Sequence, residues 1–431
     1  MQRVLSFQMA RGLTESSELV TKRMCFSFLF SVGFLCLLCG FLLGRFATQR
    51  AFEFRAEKKR LELAGNGLDS NEYLQRLILE KLKSTPLDDD FEVTWKSFTS
   101  REDDVHRANG ILSNFSMIHR VVEYRSCIVA TVQGSREPDR YVVLSASDEG
   151  VSIALKLAKI FNDIQREHGW KPRRSLVFCL FFGPVDPCVE TLPGFMRHRI
   201  LAYIAVPYQA LQGRGPLVLS GSDVVQSVAL QAAKVVKNLY SYDDQLVFLN
   251  NMYYNSTISQ LALDIPHAVL SFMNNSFTFD DDDHQNELHK VILAQILSQT
   301  VWRLSECLIM KWDPSYFNDT VSNALKSINS SQFLEAKEKI QETSVKLLNN
   351  VQILNGGIDT IDSTNTFNTR ILNDLMMDLD RALLCPDENF RSKTNWTEFF
   401  SLNHKPYNIS LMYLKEMVKC YETVIQLLQN R

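Results

Sequence analysis

The densest run of side chains able to do chemistry lies at residues 280–289, where Asp280, Asp281, Asp282 and Asp283 precede His284, Glu287 and His289. Hard carboxylate oxygens of this kind attract calcium or magnesium. The spacing argues against a built site. His284 and His289 are five residues apart, which on a helix turns them about 140° from each other. No glycine-containing calcium-loop pattern accompanies them. The pattern favours a solvated acidic loop or helix start, because carboxylates stabilise a helix N-terminus. Asp280 and His284 stand as candidate metal ligands against that reading. No Gly-x-Ser-x-Gly elbow, phosphate loop or His-Glu-x-x-His motif is present. Gly213-Arg-Gly-Pro216 reads as a turn rather than an anion site, and His168, His198 and His267 stand alone as structural groups. No cofactor is implied.

Cysteine chemistry is equally undirected. Of nine cysteines, Cys25, Cys36 and Cys39 fall in an apolar run, and Cys127, Cys179, Cys188, Cys307, Cys385 and Cys420 are scattered without a CxxC pair. Some would pair in an oxidising lumen, and for Cys127 and Cys179 a buried thiol within a strand is the alternative. Asn114, Asn255, Asn274, Asn318, Asn329, Asn395 and Asn408 each begin an Asn-x-Ser/Thr triplet, the acceptor for N-glycosylation.

These groups need elements to hold them. Residues 24–43 carry no charge and match the ~20 residues that cross a bilayer. A signal peptide would have an apolar region of roughly 7 to 15 residues and a small-residue cleavage site. An uncleaved anchor is therefore expected. Basic residues flank it on both sides, so orientation rests on the sequons, which all follow it and require the lumen. In the leading tail, Glu15 to Val20 has the form of an acidic dileucine signal with Val last. A polar tail without a partner is the competing reading. A net charge of −3 gives no field to gather nucleic acid, which excludes that partner class.

The middle of the chain alternates strand-like and helix-like segments, predicting α/β layers with a largely parallel or mixed sheet. Strands are expected at residues 127–132, 141–144, 175–182, 200–206 and 217–219, with a turn at Glu137-Pro138-Asp139. Val151, Ala154, Leu155, Ala158 and Phe161 space a helix that ends near Gly169. Ser222 is a plausible N-cap for a helix over residues 224–239. Tyr73 to Leu82 also has helical spacing. Beyond Asp280 helices dominate, at residues 288–310, 321–351 and 367–384 and in a final stripe from Leu414 to Leu428.

Residues 134–144, 169–178, 201–204 and 370–382, in this order and spacing, resemble the transferrin receptor and glutamate carboxypeptidase superfamily of type II membrane proteins. The resemblance covers residues 120–310 best. It implies a zinc-peptidase-like mixed sheet sandwiched by helices, followed by an all-α dimerisation-like domain. It also implies a two-zinc site at the carboxyl ends of the strands, held by His, Asp and Glu, with a further Glu as general base. The matching positions here are Ser147 for the first His, Pro184 and Val185 for the paired glutamates, and Pro207 for an Asp. Asp148 is the one nearby candidate for the bridging Asp, and the last His falls near Phe279 or Asp280.

Catalysis is therefore not expected, since a site without its base and most ligands cannot activate water. The family's apical domain has no room before Cys127. An Arg-Gly-Asp segment like the receptor's is missing, which argues against transferrin binding. The expected organisation is a cytoplasmic tail at 1–23, an anchor at 24–43, a stalk and N-terminal segment at 44–117, a peptidase-like domain at 118–312 and a helical domain at 313–431. The resemblance implies a homodimer formed through that last domain. The expected role is a receptor or adaptor for an unidentified protein, at the plasma membrane or in the secretory pathway. The rivals are a degenerate zinc peptidase using Asp148 and the 280–289 cluster, and a chaperone or trafficking adaptor for homologous proteins.

Overall fold

The computed structural model describes residues 25–52, 72–84, 101–124, 127–208, 210–211, 213, 215–240, 249–250, 265–272, 283–327, 331–359, 366–384 and 407–429. The chain divides into two compact units, Met1–Leu61 and Glu62–Arg431. In the first, α1 (Cys25–Phe52) is a 28-residue helix long and apolar enough to cross a membrane.

The second unit is built on one eight-stranded sheet. Its strands are β1 (Arg120–Glu123), β2 (Cys127–Val132), β3 (Glu137–Ser147), β4 (Arg174–Phe181), β5 (Ile200–Val206), β6 (Leu217–Gly221), β7 (Leu249–Asn250) and β8 (His267–Phe272). They lie in the order β1-β2-β4-β3-β5-β8-β6-β7. The centre, β4-β3-β5-β8, is parallel, whereas β1-β2, β2-β4 and β6-β8 are antiparallel, which makes the sheet mixed as anticipated. β4 is buried along its whole length, as a continuous apolar run on a two-sided sheet requires.

The residues expected to form a turn at Glu137-Pro138-Asp139 instead open β3. A register shift between Glu137 and Tyr141 accommodates Pro138, a residue tolerated at a strand's start or at a bulge. Helix α4 (Glu149–His168) follows β3 and ends at Gly169, whose φ of 67° is the left-handed cap the sequence suggested. A Cβ on Gly221 would come 2.1 Å from the His267 carbonyl oxygen, so β6 and β8 can close there only around a glycine.

One sheet face packs Ile128, Leu144, Phe178 and Ile204 into a continuous core with α4 and with the two-tryptophan stack of Trp170 on Trp302, centroids 4.8 Å apart. This core also takes in α2 (Glu72–Ser84), α3 (Arg101–Ser113), α7 (Asp223–Tyr240) and α8 (Asp283–Glu306). The other face buries Val129, Val143, Cys179 and Tyr203. It is closed by Val189, Leu192 and Met196 on and around two single-turn helices, α5 (Cys188–Thr191) and α6 (Gly194–Arg197).

After α8 the chain is helical, with α9 (Ser315–Ser327), α10 (Leu334–Asp359), α11 (Thr366–Leu383) and α12 (Tyr407–Gln429). The single helix expected over residues 321–351 is two, with a 3₁₀ turn at Ser331–Phe333 before α10. Serines at this junction compete for backbone hydrogen bonds and disfavour a helix interior. α11 is tied to the sheet layer by Arg140 on Asp374, by Arg370 on Asp139, and by an Arg381 N–H donated to the His198 carbonyl at 2.9 Å.

Candidate functional site

In open α/β sheets, ligands lie beyond the carboxyl ends of parallel strands. Register brings those ends level here, because Ser147 pairs with Phe181 and Ala146 with Val206. The edge therefore carries Ser147, Asp148, Gly183 to Asp186, and Pro207. Ser147 is buried and its Oγ donates to the Gly183 carbonyl at 2.8 Å, joining the end of β3 to the turn after β4. Asp148 leads into α4 at φ 45°, a rare backbone for a residue with a Cβ, and its carbonyl accepts the Val151 N–H at 2.8 Å. Pro184 and Val185 are exposed, and Pro207 is buried with its carbonyl accepting from Ala210.

The acid that the turn does present is Asp186, which the sequence reading passed over. It is 3% exposed. Its Oδ2 accepts hydroxyl protons from Ser145 at 2.6 Å and Tyr203 at 2.5 Å, and its Oδ1 accepts the Cys188 N–H at 2.9 Å. Burial pushes the Asp186 carboxyl up, against these three donors, which favour its ionised form. Burial and the neighbouring carboxylate likewise push the Tyr203 phenol well above its ordinary value. The signal that could have found Asp186 is an acid placed between two prolines, directly after an apolar strand.

Beside this network Cys179 on β4 and Cys188 on α5 form a disulfide across nine residues. Cys127 remains a thiol within the same apolar cluster. The bridge suits an oxidising compartment.

The donor set at the edge does not fit a pair of zinc ions. Proline and valine side chains offer no ligand atom, the Ser147 hydroxyl is committed to a backbone carbonyl, both Asp186 oxygens are engaged below the surface, and the half-buried Asp148 adds a single carboxylate, too few donors for two ions. No group of three or more metal-ligating side chains occurs among the described residues. Asp280 lies outside the described residues, and His284 falls in α8 with its side chain undescribed. His289 is buried, with its ring stacked on Phe272 at 4.0 Å between centroids, and desolvation lowers its pKa. Among the sequons, Asn114 is exposed in the turn after α3, and Asn318 is exposed on α9. Asn408 lies in α12 with its side chain undescribed, and Asn255, Asn274, Asn329 and Asn395 lie outside the described residues.

Two buried polar clusters sit elsewhere. At the start of β3 and β4, Glu137 receives Arg173 at 2.7 Å and Arg174 at 3.0 Å, all three nearly inaccessible. Burial would raise the Glu137 carboxyl, but Arg174 and Arg173 together hold it below its ordinary value. Glu306 accepts the Arg173 N–H at 3.0 Å, and burial pushes it up to about 8. The second cluster completes the capping of α7. Ser222 does occupy the N-cap position, its carbonyl accepting the Gln226 N–H at 2.9 Å, but the side-chain acceptor is Asp380 of α11, which takes the N–H groups of Val224 at 2.8 Å and Val225 at 3.3 Å, while the Ser222 hydroxyl donates to Asp380 at 2.7 Å. A full carboxylate meets the helix N-terminus better than a hydroxyl.

No protein-family model matches the chain. Transferrin receptor protein 2 of Homo sapiens is 26% identical over 262 residues, covering 49% of this chain and 32% of that protein. Transferrin receptor protein 1 of Gallus gallus is 31% identical over 137 residues, covering 28% and 17%. Aminopeptidase NAALADL1 of Rattus norvegicus is 21% identical over 343 residues, covering 63% and 45%. The chain thus spans less than half the length of these curated relatives. Among solved structures, the Legionella pneumophila LapA aminopeptidase aligns with a TM-score of 0.36 at 10% identity, over 59% of this chain and 74% of that one, a superposition too loose to bear on the site. On the sequence alignments, the chain is similar to the transferrin receptors and to aminopeptidase NAALADL1.

Proposed function

We propose that the chain is a non-catalytic, single-pass type II membrane glycoprotein that acts as a receptor or adaptor by binding another protein. The observation that carries this reading is the sheet edge. Where a peptidase of this fold needs imidazole and carboxylate aimed at metal and water, this edge has a hydroxyl bonded to its own backbone, two exposed apolar side chains and a proline. Of the two acids at this edge, Asp186 is buried and held by Ser145, Tyr203 and the Cys188 N–H, which leaves Asp148 as a single carboxylate. Fold then supplies a scaffold, and function lies in a surface grafted on it.

α1 serves in this reading as the anchor, with the unit that follows in the lumen, glycosylated at exposed sequons such as Asn114 and Asn318. The sheet layer over 118–312 is the peptidase-like domain. The helices over 313–431 form a homodimer interface by analogy with the transferrin receptors.

Metal analysis of the purified full chain tests the non-catalytic reading. We expect zinc well below one ion per chain. Stoichiometric zinc that Asp148→Ala removes would overturn it. Glycan digestion of the chain and of its Asn114→Gln and Asn318→Gln variants tests the topology, with loss of a glycan shift expected for each. Proximity labelling from the lumenal side identifies the partner. Capture of a homologous membrane protein instead of a distinct ligand would move the assignment to a trafficking adaptor.

A further inference from the structure

The joint between α11 and α7 contains two carboxyl groups where burial would lead one to expect a carboxylate and a cation. Asp380 is inaccessible and Asp223, the first residue of α7, is 9% exposed. Asp380 holds the first N–H groups of α7 and the Ser222 hydroxyl. The Tyr316 hydroxyl, from α9, donates to the backbone carbonyl of Asp223 and lies 3.3 Å from its Oδ1. The opposing positive charge comes from Arg381, which donates to the His198 carbonyl and approaches Asp378 at 3.6 Å. From β8, His267 reaches the same joint through its backbone, with its ring turned to the Ile265 carbonyl at 2.9 Å. Two negative charges in such a place oppose each other and also resist desolvation, and a proton taken up by one of them relieves both costs.

We propose that Asp223 and Asp380 form an acid-tightened latch that holds the C-terminal helices to the sheet layer more firmly as the surrounding pH falls. Burial, with the charge of Asp380, places the Asp223 carboxyl at about 8, and burial places Asp380 at about 6. Both lie above the range of an unfolded aspartate, so the joint takes up protons that the opened chain would not hold, and closing is favoured as pH falls through these values. His267 acts in the opposite sense: burial keeps it neutral, so its protonation on acidification would loosen the joint. The sign of the response therefore separates the two groups.

Hydrogen exchange of the full chain in detergent micelles reads the latch directly. After correction for intrinsic exchange rates, peptides from the first turns of α7 should gain about tenfold or more in protection between about pH 7.5 and about pH 5.5. The Asp223→Asn chain, neutral at that position throughout, should lose most of this gain. An absence of gain in the natural chain, or an equal gain in Asp223→Asn, overturns the proposal. If Asp223→Asn does not accumulate, α4 serves as the internal reference. A gain in α7 and α11 larger than that of α4, which reports the fold-wide contribution of Glu306, supports the latch, and a gain no larger than that of α4 overturns it.

Discussion

Replacing Glu137 by Gln removes one negative charge from between two guanidinium groups that water barely reaches. Arg174 has a side chain 0% exposed and Arg173 one 6% exposed, and each is within 3.0 Å of a Glu137 oxygen. Arg174 would keep the Leu304 carbonyl at 2.7 Å and the Cys307 Sγ at 3.3 Å, so its donors would stay partly satisfied while its charge lost its counterion. Breaking one side of such a buried pair costs about 3–5 kcal/mol, because the surviving charge stays desolvated. That is a large share of the roughly 5–15 kcal/mol that stabilises a folded protein. Urea titration of the full chain in micelles, followed by tryptophan fluorescence, is the assay, since Trp170 and Trp302 stack in the adjoining core.

The loss should also depend on pH with a definite sign. The Glu137 carboxyl is held below its ordinary value when folded, so its stabilisation is present above the unfolded pKa near ~4.3 and is lost as pH falls through the lower folded value. The gap between natural chain and variant should narrow in strong acid. A difference below about 1 kcal/mol at neutral pH, where a surface ion pair would fall, would refute the reasoning.

Tyr203→Phe should cost about 1–3 kcal/mol in the same titration, because Asp186 loses a buried donor at 2.5 Å and no water can replace it cheaply. Removing the Cys179–Cys188 bridge by a double Ala substitution should cost about 2–3 kcal/mol from the short loop it closes, read as a lowered urea midpoint under non-reducing conditions. Glu306 titrates at about 8 in the folded chain, so its contribution is fully present below the unfolded pKa and is lost as pH rises toward 8. Glu306→Gln should flatten that slope by on the order of 1 kcal/mol per pH unit, measured by thermal melts from about pH 6 to about pH 8.

Much of the scaffold was legible from periodicity. The continuous apolar run of β4, the helical spacing of α4 and its terminating Gly169 depend on local pattern alone, and the structure follows them. β8 and β1 were not anticipated. β8 is six residues between stretches without a period, and only its pairing with β5 and β6 makes it a strand. The cap of α7 was half legible for a related reason, because Ser222 holds the N-cap position next in sequence while the carboxyl that accepts the first N–H groups, Asp380, arrives from 158 residues away. Ser147, Pro184, Val185 and Pro207 could be aligned to a site, but sequence gave no view of what the edge does with the room. Asp186, bonded to Ser145 and Tyr203 from two other strands, is a contact that no linear pattern encodes.

α11 meets the sheet layer through Arg370 and Asp139, through Asp374 and Arg140, through Arg381 and the His198 carbonyl, and through the carboxylate at the head of α7. A cut at the boundary between the two regions would leave a helix without its capping carboxyl and would strip Arg140 and Asp139 of their α11 partners, leaving only the longer pairs of Asp139 with Arg140 and Arg199, even though no residue of the sheet had been removed. Shortened chains would then fail for want of folding, and a missing interaction in them would say nothing about where a partner binds. The partner's footprint is better sought by single exposed substitutions in the whole chain.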